Sequence, residues 1–263
     1  MSEEEIRRSA ERLFTTRYLL GLFDHSSLDE IPYNVVGCKE HRELAYQAAV
    51  ESCVLLKNDG TLPLSLKDKK RVAVIGPNAD SRDALTGNYN GTADQYVTFL
   101  EGIRERFSGR ILYSQGCHLY KDRTQGLAQP GDLYSEALAA AENSDVIVAC
   151  VGLDATLEGE EGDTGNEFSS GDKNDLRLPE SQRTLLQKLS ALGKPLVIVL
   201  AAGSSVNVEV ECNALLDMWY PGQLGGRALA QLLFGDVSPS GKLPVTFYRS
   251  AGLLPDIRDY SMK

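Results

Sequence analysis

The spacing of apolar and polar positions changes character partway along this chain. Over "EEEIRRSAERLFTTRYLLGLF" (residues 3–23), Ile6, Leu13 and Leu20 recur at helical spacing, and Ser2 with Glu5 forms a capping-box pattern, so an amphipathic helix is predicted. The following "DHSSLDEIPYNVVGCKE" has no period and holds Pro32 and Gly37, the marks of an extended linker. A second helix is predicted over "HRELAYQAAVESCVLLKN", with Leu44, Ala48, Ser52, Leu55 and Leu56 along one side and "NDG" as its stop. A helix, a linker and a helix make a poor core, so the first helix is expected to pack on something outside this chain.

From Leu62 onward short apolar runs alternate with helical stretches. The predicted strands are "RVAVIG", "RILYSQG", "DVIVACVG", "PLVIVLAAG", "ALLDMWY" and "LPVTFY"; the predicted helices are "YVTFLEGIRERF", "LYSEALAAAENS", "PESQRTLLQKLSALG" and "GGRALAQLLFG". Strands apolar almost throughout are buried on both faces, which requires a mostly parallel sheet covered by helices on each side. The predicted fold is therefore α/β, a three-layer α/β/α sandwich preceded by an amphipathic helix and a linker. In such sheets function collects in the loops at the carboxyl ends of the strands. Four loops qualify: "GPNADS", "GCHLYKD", the stretch from Val151 to Asp175, and "YPGQLGGRA".

Composition narrows the function classes. With 263 residues, 42% of them apolar and 24% charged, the chain has the makeup of a globular protein, and a formal charge of -10 argues against nucleic acid or an anionic membrane surface as partners. The five cysteines (Cys38, Cys53, Cys117, Cys150, Cys212) form no CxxC; Cys53, Cys150 and Cys212 read as small core residues, which suits a reducing compartment. The N-terminus lacks an apolar signal segment, and no apolar run approaches the ~20 residues of a membrane span, so the expected location is cytoplasmic.

Several familiar chemistries fail on their motifs. "VIGPNAD" follows a strand but lacks G-x-G-x-x-G; the expected role of Asn78 or Asp80 is to cap what comes next. "YPGQLGGRA" lacks the Lys-Ser/Thr pair of a P-loop, and no G-x-S-x-G elbow is present. The only histidines are His25, His41 and His118, none beside an orienting acid, so neither a serine triad through Ser204 or Ser205 nor a zinc site is supported. His118 lies in a loop expected on the same sheet edge as the acidic one.

That acidic stretch, "VGLDATLEGEEGDTGNEFSSGDKND", sets eight carboxylates against one cation, Lys173. A solvated loop, a calcium cage and a general acid are all open at this level, although the D-x-[DN]-x-[DN]-G-x5-E calcium pattern is missing. Crowded and partly buried carboxylates raise one another's pKa, which keeps one glutamate protonated near neutral pH.

The segments "AAVESCVLLKNDGTLPL", "VAVIGPNAD", "VGLDATLEGEEGD", "LRLPESQRTLLQKL" and "WYPGQLGGRALAQLLFGDVSPSGKLPVTF" together resemble the second domain of glycoside hydrolase family 3, the β-glucosidases and β-xylosidases, over most of Ala45 to Tyr248. The resemblance implies that residues 1–24 are the last helix of a (β/α)8 barrel not contained in this chain, 25–40 an interdomain linker, 41–250 the α/β sandwich and 251–263 an extended tail. It implies a retaining mechanism with the nucleophile, an Asp, on the barrel and the acid/base, a Glu, on this domain, and no cofactor. The E-x-E-x-x-D pattern of Glu158, Glu160 and Asp163 matches the family's acid/base segment, and a Glu three positions before the Asp is Glu160, with Glu158 second and Glu161 third. Thr164 stands where many members have Arg, and "GNEFSSGDKND" is an insertion. Asn88 and Tyr89 of "LTGNYNGT", with Asp163 and His118, are the candidate substrate-binding residues, Tyr89 having packing as its alternative role. The expected partners are a β-linked glucoside or xyloside and the barrel domain of the same enzyme; the isolated chain is expected to be inactive. The alternative is a non-catalytic carbohydrate-binding or regulatory α/β module.

Overall fold

The computed structural model describes residues 1–67, 70–121, 126–160, 173 and 175–261. It comprises two compact units, Met1–Cys38 and Lys39–Lys263. The first holds helix α1 (Glu3–Leu19), opened by the predicted reciprocal bonds between Ser2 and Glu5, and two short 3-10 turns, Ser27–Glu30 and Tyr33–Val35, where the sequence suggested a featureless linker. Ser26 and Asp29 close a capping box on the first of these turns, a local signal that periodicity does not register.

The second unit is a six-stranded sheet with helices on both faces. Its elements are α2 (Lys39–Ser52), β1 (Val54–Asn58), β2 (Arg71–Ile75), α3 (Phe99–Arg106), β3 (Arg110–Ser114), α4 (Asp132–Glu142), β4 (Val146–Gly152), α5 (Glu180–Ser190), β5 (Leu196–Ala201), β6 (Ala214–Asp217) and α6 (Gly225–Phe234). The strand order is β1-β6-β5-β4-β2-β3, with β2 to β6 parallel and β1 antiparallel to β6. β4 and β5 are buried along their whole length, as their apolar runs predict. Alternation splits their side chains between two cores. Val146, Val148 and Cys150 join the core containing Leu100, Ile103, Leu229 and Leu233 of α3 and α6, whereas Ile147, Ala149 and Val151 join Ala137, Leu185 and Leu189 of α4 and α5. Each such Val, Ile or Leu contributes about 1.5–3 kcal/mol by leaving water.

Three expectations are corrected. The second helix stops at Ser52, and "VLLKN" is strand β1, so Leu55 and Leu56 do not extend a helical face. Pairing with the free edge of β6 overrides the helical spacing, and Asn58 Oδ1 accepts from Gly60 and Leu62 N–H, so "NDG" is the turn leaving a strand. The packed side of α2 carries Ala49 and Val50, while Leu44 is exposed. "LPVTFY" is not a strand: Pro244 lacks a ladder donor, and β1 already occupies the edge beyond β6. Among the cysteines, Cys53, Cys117 and Cys150 are buried, but Cys212 is only half-buried. All five are free thiols, and burial pushes that of Cys53 up to about 12.

Because β2 to β6 run parallel, all four loops singled out above emerge on one edge, together with "AAGSSVN" after β5. The exits are stitched together. Asn78, 1% exposed, caps nothing; its Nδ2 donates to Leu153 O at 2.9 Å, tying the end of β2 to the end of β4. Asp80 accepts from the Thr98 hydroxyl instead of capping its own segment. Gln182, on α5, accepts from Gly152 N–H at 2.8 Å and donates to Gly152 O at 2.7 Å and Leu119 O at 2.6 Å. Gly152 has φ 146°, and a Cβ there would stand 1.8 Å from Ala201 O, so only glycine can end β4 this close to β5. Among the described residues, no helix is long and apolar enough to cross a membrane.

Candidate active site

The acidic loop begins as a tight turn written into "LDATLE". Asp154, 6% exposed, accepts from the Thr156 N–H at 2.8 Å and hydroxyl at 2.6 Å through Oδ1, while its carbonyl accepts from Leu157 N–H at 3.0 Å and Glu158 N–H at 2.9 Å. Leu157 is buried in the α4/α5 core and pins the turn. Glu158 is thereby turned toward the ends of β5 and β6.

Its carboxylate is enclosed by donors. Oε2 accepts from Gly203 N–H at 2.8 Å and the Tyr220 phenol at 2.6 Å; Oε1 accepts from the Ser204 hydroxyl and lies 3.6 Å from Lys173 Nζ. Lys173 donates in turn to Ser204 Oγ and to Ser205 O at 2.9 Å. The Glu158 and Lys173 side chains are only 10% and 11% exposed. Burial pulls the Lys173 ammonium below its ordinary pKa, with Glu158 opposing, and burial followed by the Glu158 charge pushes the Tyr220 phenol far up.

Tyr220 is placed by the backbone before it. Trp219 has φ 54°, a left-handed conformation costing about 1–3 kcal/mol in a residue with a Cβ. Its N–H donates to Asp217 Oδ1 at 3.1 Å, its indole N–H to Ser52 O at 3.1 Å, and its ring meets Phe247 edge-on at 6.0 Å. Glycines flank the Tyr220 ring: a Cβ would come within 3.0 Å of it at Gly87 and 2.9 Å at Gly203. Asp217, 1% exposed and with a buried Oδ2 that has no hydrogen-bond partner among the described residues, has its pKa pushed up to about 6, because burial penalises its charge and Glu158 adds to the penalty.

A raised folded-state pKa means that the native state holds this proton between about pH 4 and 6 while the unfolded chain has lost it. The group's contribution to stability therefore disappears as pH rises through that window and stays absent above it. Asp217→Asn keeps the acceptor for Trp219 and carries no charge. It is expected to be more stable than the wild type at pH 8 by about 1–3 kcal/mol, with the advantage vanishing near pH 4. Urea unfolding at both pH values checks this; a variant less stable than wild type at pH 8 would refute the buried-charge account.

Glu160 has the opposite surroundings. It is exposed, and its Oε2 accepts from the phenol of Tyr89, itself 79% exposed. Tyr89 has φ 58°, and Asn88 Oδ1 accepts from Tyr89 N–H at 3.0 Å, so the loop "LTGNYNGT" holds the phenol over the acidic loop. The structure thus brings Glu158, Glu160, Asn88 and Tyr89 into one neighbourhood. Asp163 and Glu161 lie outside the described residues. His118 stands on the same edge, but what fixes its loop is its carbonyl, which accepts from the Ser181 hydroxyl at 2.9 Å. Among the described residues no cluster of three or more His, Cys, Asp or Glu could hold a metal ion.

Sequence reading missed the donors around Glu158. Ser204 was visible only as a failed nucleophile, Tyr220 as part of a turn, and Lys173 as the lone cation among eight acids, the one compositional hint that a carboxylate there has a partner.

A profile of the Glycosyl hydrolase family 3 C-terminal domain matches residues 53–263. The chain is 34% identical to a β-xylosidase of Formosa agariphila, covering 95% of this chain and 34% of that protein, and 36% identical to a periplasmic β-glucosidase of Salmonella typhimurium, covering 95% and 35%. Among solved structures, the β-glucosidase EmGH1 of Erythrobacter marinus superposes with a TM-score of 0.78 at 36% identity, over 97% of this chain and 36% of that one. A fold and sequence of this kind define the C-terminal domain shared by a family of glycoside hydrolases. The chain belongs to glycoside hydrolase family 3, of which it is the C-terminal domain, and it spans about a third of the length of the curated relatives it matches.

Proposed function

We propose that this chain supplies the general acid/base to a retaining, exo-acting glycosidase that releases a terminal β-linked xylose or glucose, with Glu160 as that acid/base. The observation that carries this reading is the contrast between the two glutamates. Glu158, its own side chain only 10% exposed, has both oxygens committed to donors, which suits an anchor; Glu160 is exposed, with the Tyr89 phenol as its partner among the described residues, which leaves it able to reach a glycosidic oxygen. The register of Glu160 three residues before Asp163 agrees with it. In this reading Asn88, Tyr89, Asp163 and His118 face the sugar, and residues 1–24 and 25–40 are the last barrel helix and the linker.

The chemistry runs in two steps. A barrel carboxylate attacks the anomeric carbon while Glu160 gives its proton to the leaving oxygen, which departs as the alcohol; water then attacks the glycosyl-enzyme as Glu160 takes a proton from that water, and the barrel carboxylate is released. The two carboxyl groups of a retaining pair stand about 5 to 5.5 Å apart, so the barrel must close over this sheet edge. Without that nucleophile the chain alone is inert. Purified chain incubated with aryl β-xyloside and aryl β-glucoside is expected to release no aglycone above the rate in buffer, whereas a protein joining it to a family-3 barrel turns over. Robust hydrolysis by the chain alone would place both carboxylates within it and sink this reading.

A further inference from the structure

Strand β3 (Arg110–Ser114) ends the sheet: β2 pairs with one side of it residue for residue, and among the described residues no strand pairs with the other side. The opposite end strand, β1, is spoiled for further pairing by a register irregularity between Leu55 and Lys57. "RILYS" has neither a bulge nor a proline. Its backbone directions follow from its bonds to the β2 side. Arg110 N–H donates to Lys70 O at 2.8 Å and Ser114 O accepts from Gly76 N–H at 3.1 Å, so Arg110, Leu112 and Ser114 spend their backbone groups inward. Ile111 and Tyr113 therefore each point an N–H and a C=O out of the sheet, a template for another strand.

These groups and the side chains around them are complementary to themselves. If Leu112 stands opposite Leu112 of a second, antiparallel copy, Ile111 stands opposite Tyr113 of that copy, and each exchanges both backbone bonds with the other. The register also makes aromatic to β-branched cross-strand pairs, the favourable kind. Ile111 and Tyr113 lie against the α3/α6 core, so Arg110, Leu112 and Ser114 face α4, where Arg110 and Glu136 line one groove of about 460 Å³. Arg110 then comes opposite Ser114 of the second copy, whose hydroxyl donates to Glu136 Oε2 at 3.1 Å. Both Arg110 and Glu136 are exposed, and no ion pair engages Arg110 among the described residues. A foreign strand could satisfy the backbone, but it would have to bring its own acid for Arg110 and its own base for Glu136. A second copy brings both, reciprocally, as a two-fold interface requires.

We infer that β3 is a self-association edge, at which two copies of this chain join antiparallel into one continuous sheet about a two-fold axis at Leu112. This does not rest on the acid/base assignment. Sedimentation velocity of the chain at micromolar concentrations is expected to show a reversible dimer. Ile111→Pro removes an outward N–H that the bonds to β2 do not use, and should give a monomer whose far-UV circular dichroism is that of the wild type. Arg110→Glu sets like charges across both symmetric contacts and should weaken the dimer at least ~10-fold, as should Glu136→Arg, whereas the two together reverse each charge and should restore association to within about 3-fold of the wild type. Should Ile111→Pro fail to fold, the charge swap, at exposed positions, decides alone. A wild type that stays monomeric up to about 100 µM, whether its edge is open or takes a strand of another protein, would overturn the inference. So would a dimer that survives a folded Ile111→Pro, or a charge swap that leaves the dimer as weak as the single variants do.

Discussion

If Glu160 is the acid/base, Glu160→Gln in a protein that joins this chain to a family-3 barrel is expected to lower kcat/KM on β-xylosides or β-glucosides with poor leaving groups by about 10²–10⁴-fold, the usual worth of a positioned general acid. The loss shrinks sharply on aryl glycosides with acidic phenols, which leave without a proton, because only the general-acid step is impaired there. Deglycosylation still lacks its base, so on those substrates azide, which needs no deprotonation, restores turnover and yields a glycosyl azide of retained configuration. The matching Glu158→Gln protein is the control. If Glu158 is the anchor, its loss affects all leaving groups alike and azide does nothing. A leaving-group dependence that followed Glu158 would reverse the two assignments, and unchanged turnover in Glu160→Gln would favour a module that only binds sugar.

That composition and periodicity do not tell the two glutamates apart has a physical origin. The sheet was legible because buried parallel strands announce themselves as unbroken apolar runs: "VIVACVG" and "LVIVLA" became β4 and β5. That one fact also placed the acidic loop beside the other strand exits. β1 was hidden because the spacing of Ala48, Ser52, Leu55 and Leu56 satisfies a helix as well as a strand, and the deciding partner, β6, lies far along the chain. The same reason hides the roles at the site. Within "LEGEE" the glutamates are chemically equivalent; what distinguishes Glu158 is Gly203, Ser204 and Tyr220, at separations of 45, 46 and 62 residues. The lone Lys173 was readable as a count but not as a buried ion-pair partner. The resemblance of the E-x-E-x-x-D register therefore did what periodicity could not, and the hydrogen bonds supply a separate physical basis for preferring Glu160.

Glu158→Ala is expected to cost the chain about 3–5 kcal/mol of unfolding free energy, the range for removing one member of a buried ion pair. Lys173 Nζ, with its side chain 11% exposed, would lose its carboxylate, and Gly203 N–H and the Tyr220 hydroxyl would lose their acceptor. The ammonium bears most of that penalty, because its pKa is already pulled down by burial and Glu158, ahead of Asp175, offsets the effect. Replacing both charges at once, Glu158→Leu with Lys173→Met, removes the desolvation of both ions and should recover most of the loss, since a buried pair exchanged for apolar groups of similar volume is near neutral. Urea unfolding of the wild type, Glu158→Leu, Lys173→Met and the double variant forms a double-mutant cycle, and a coupling energy of about 0.5–3 kcal/mol is expected. A Glu158→Ala cost below about 1 kcal/mol, or no coupling, would mean that the pair is solvated and the turn is held by Asp154 and Leu157 alone. If the coupling is as expected, the clamp also explains how the loop can carry an exposed acid: two residues beyond a fixed carboxylate, Glu160 inherits its position from Glu158 while remaining exposed itself.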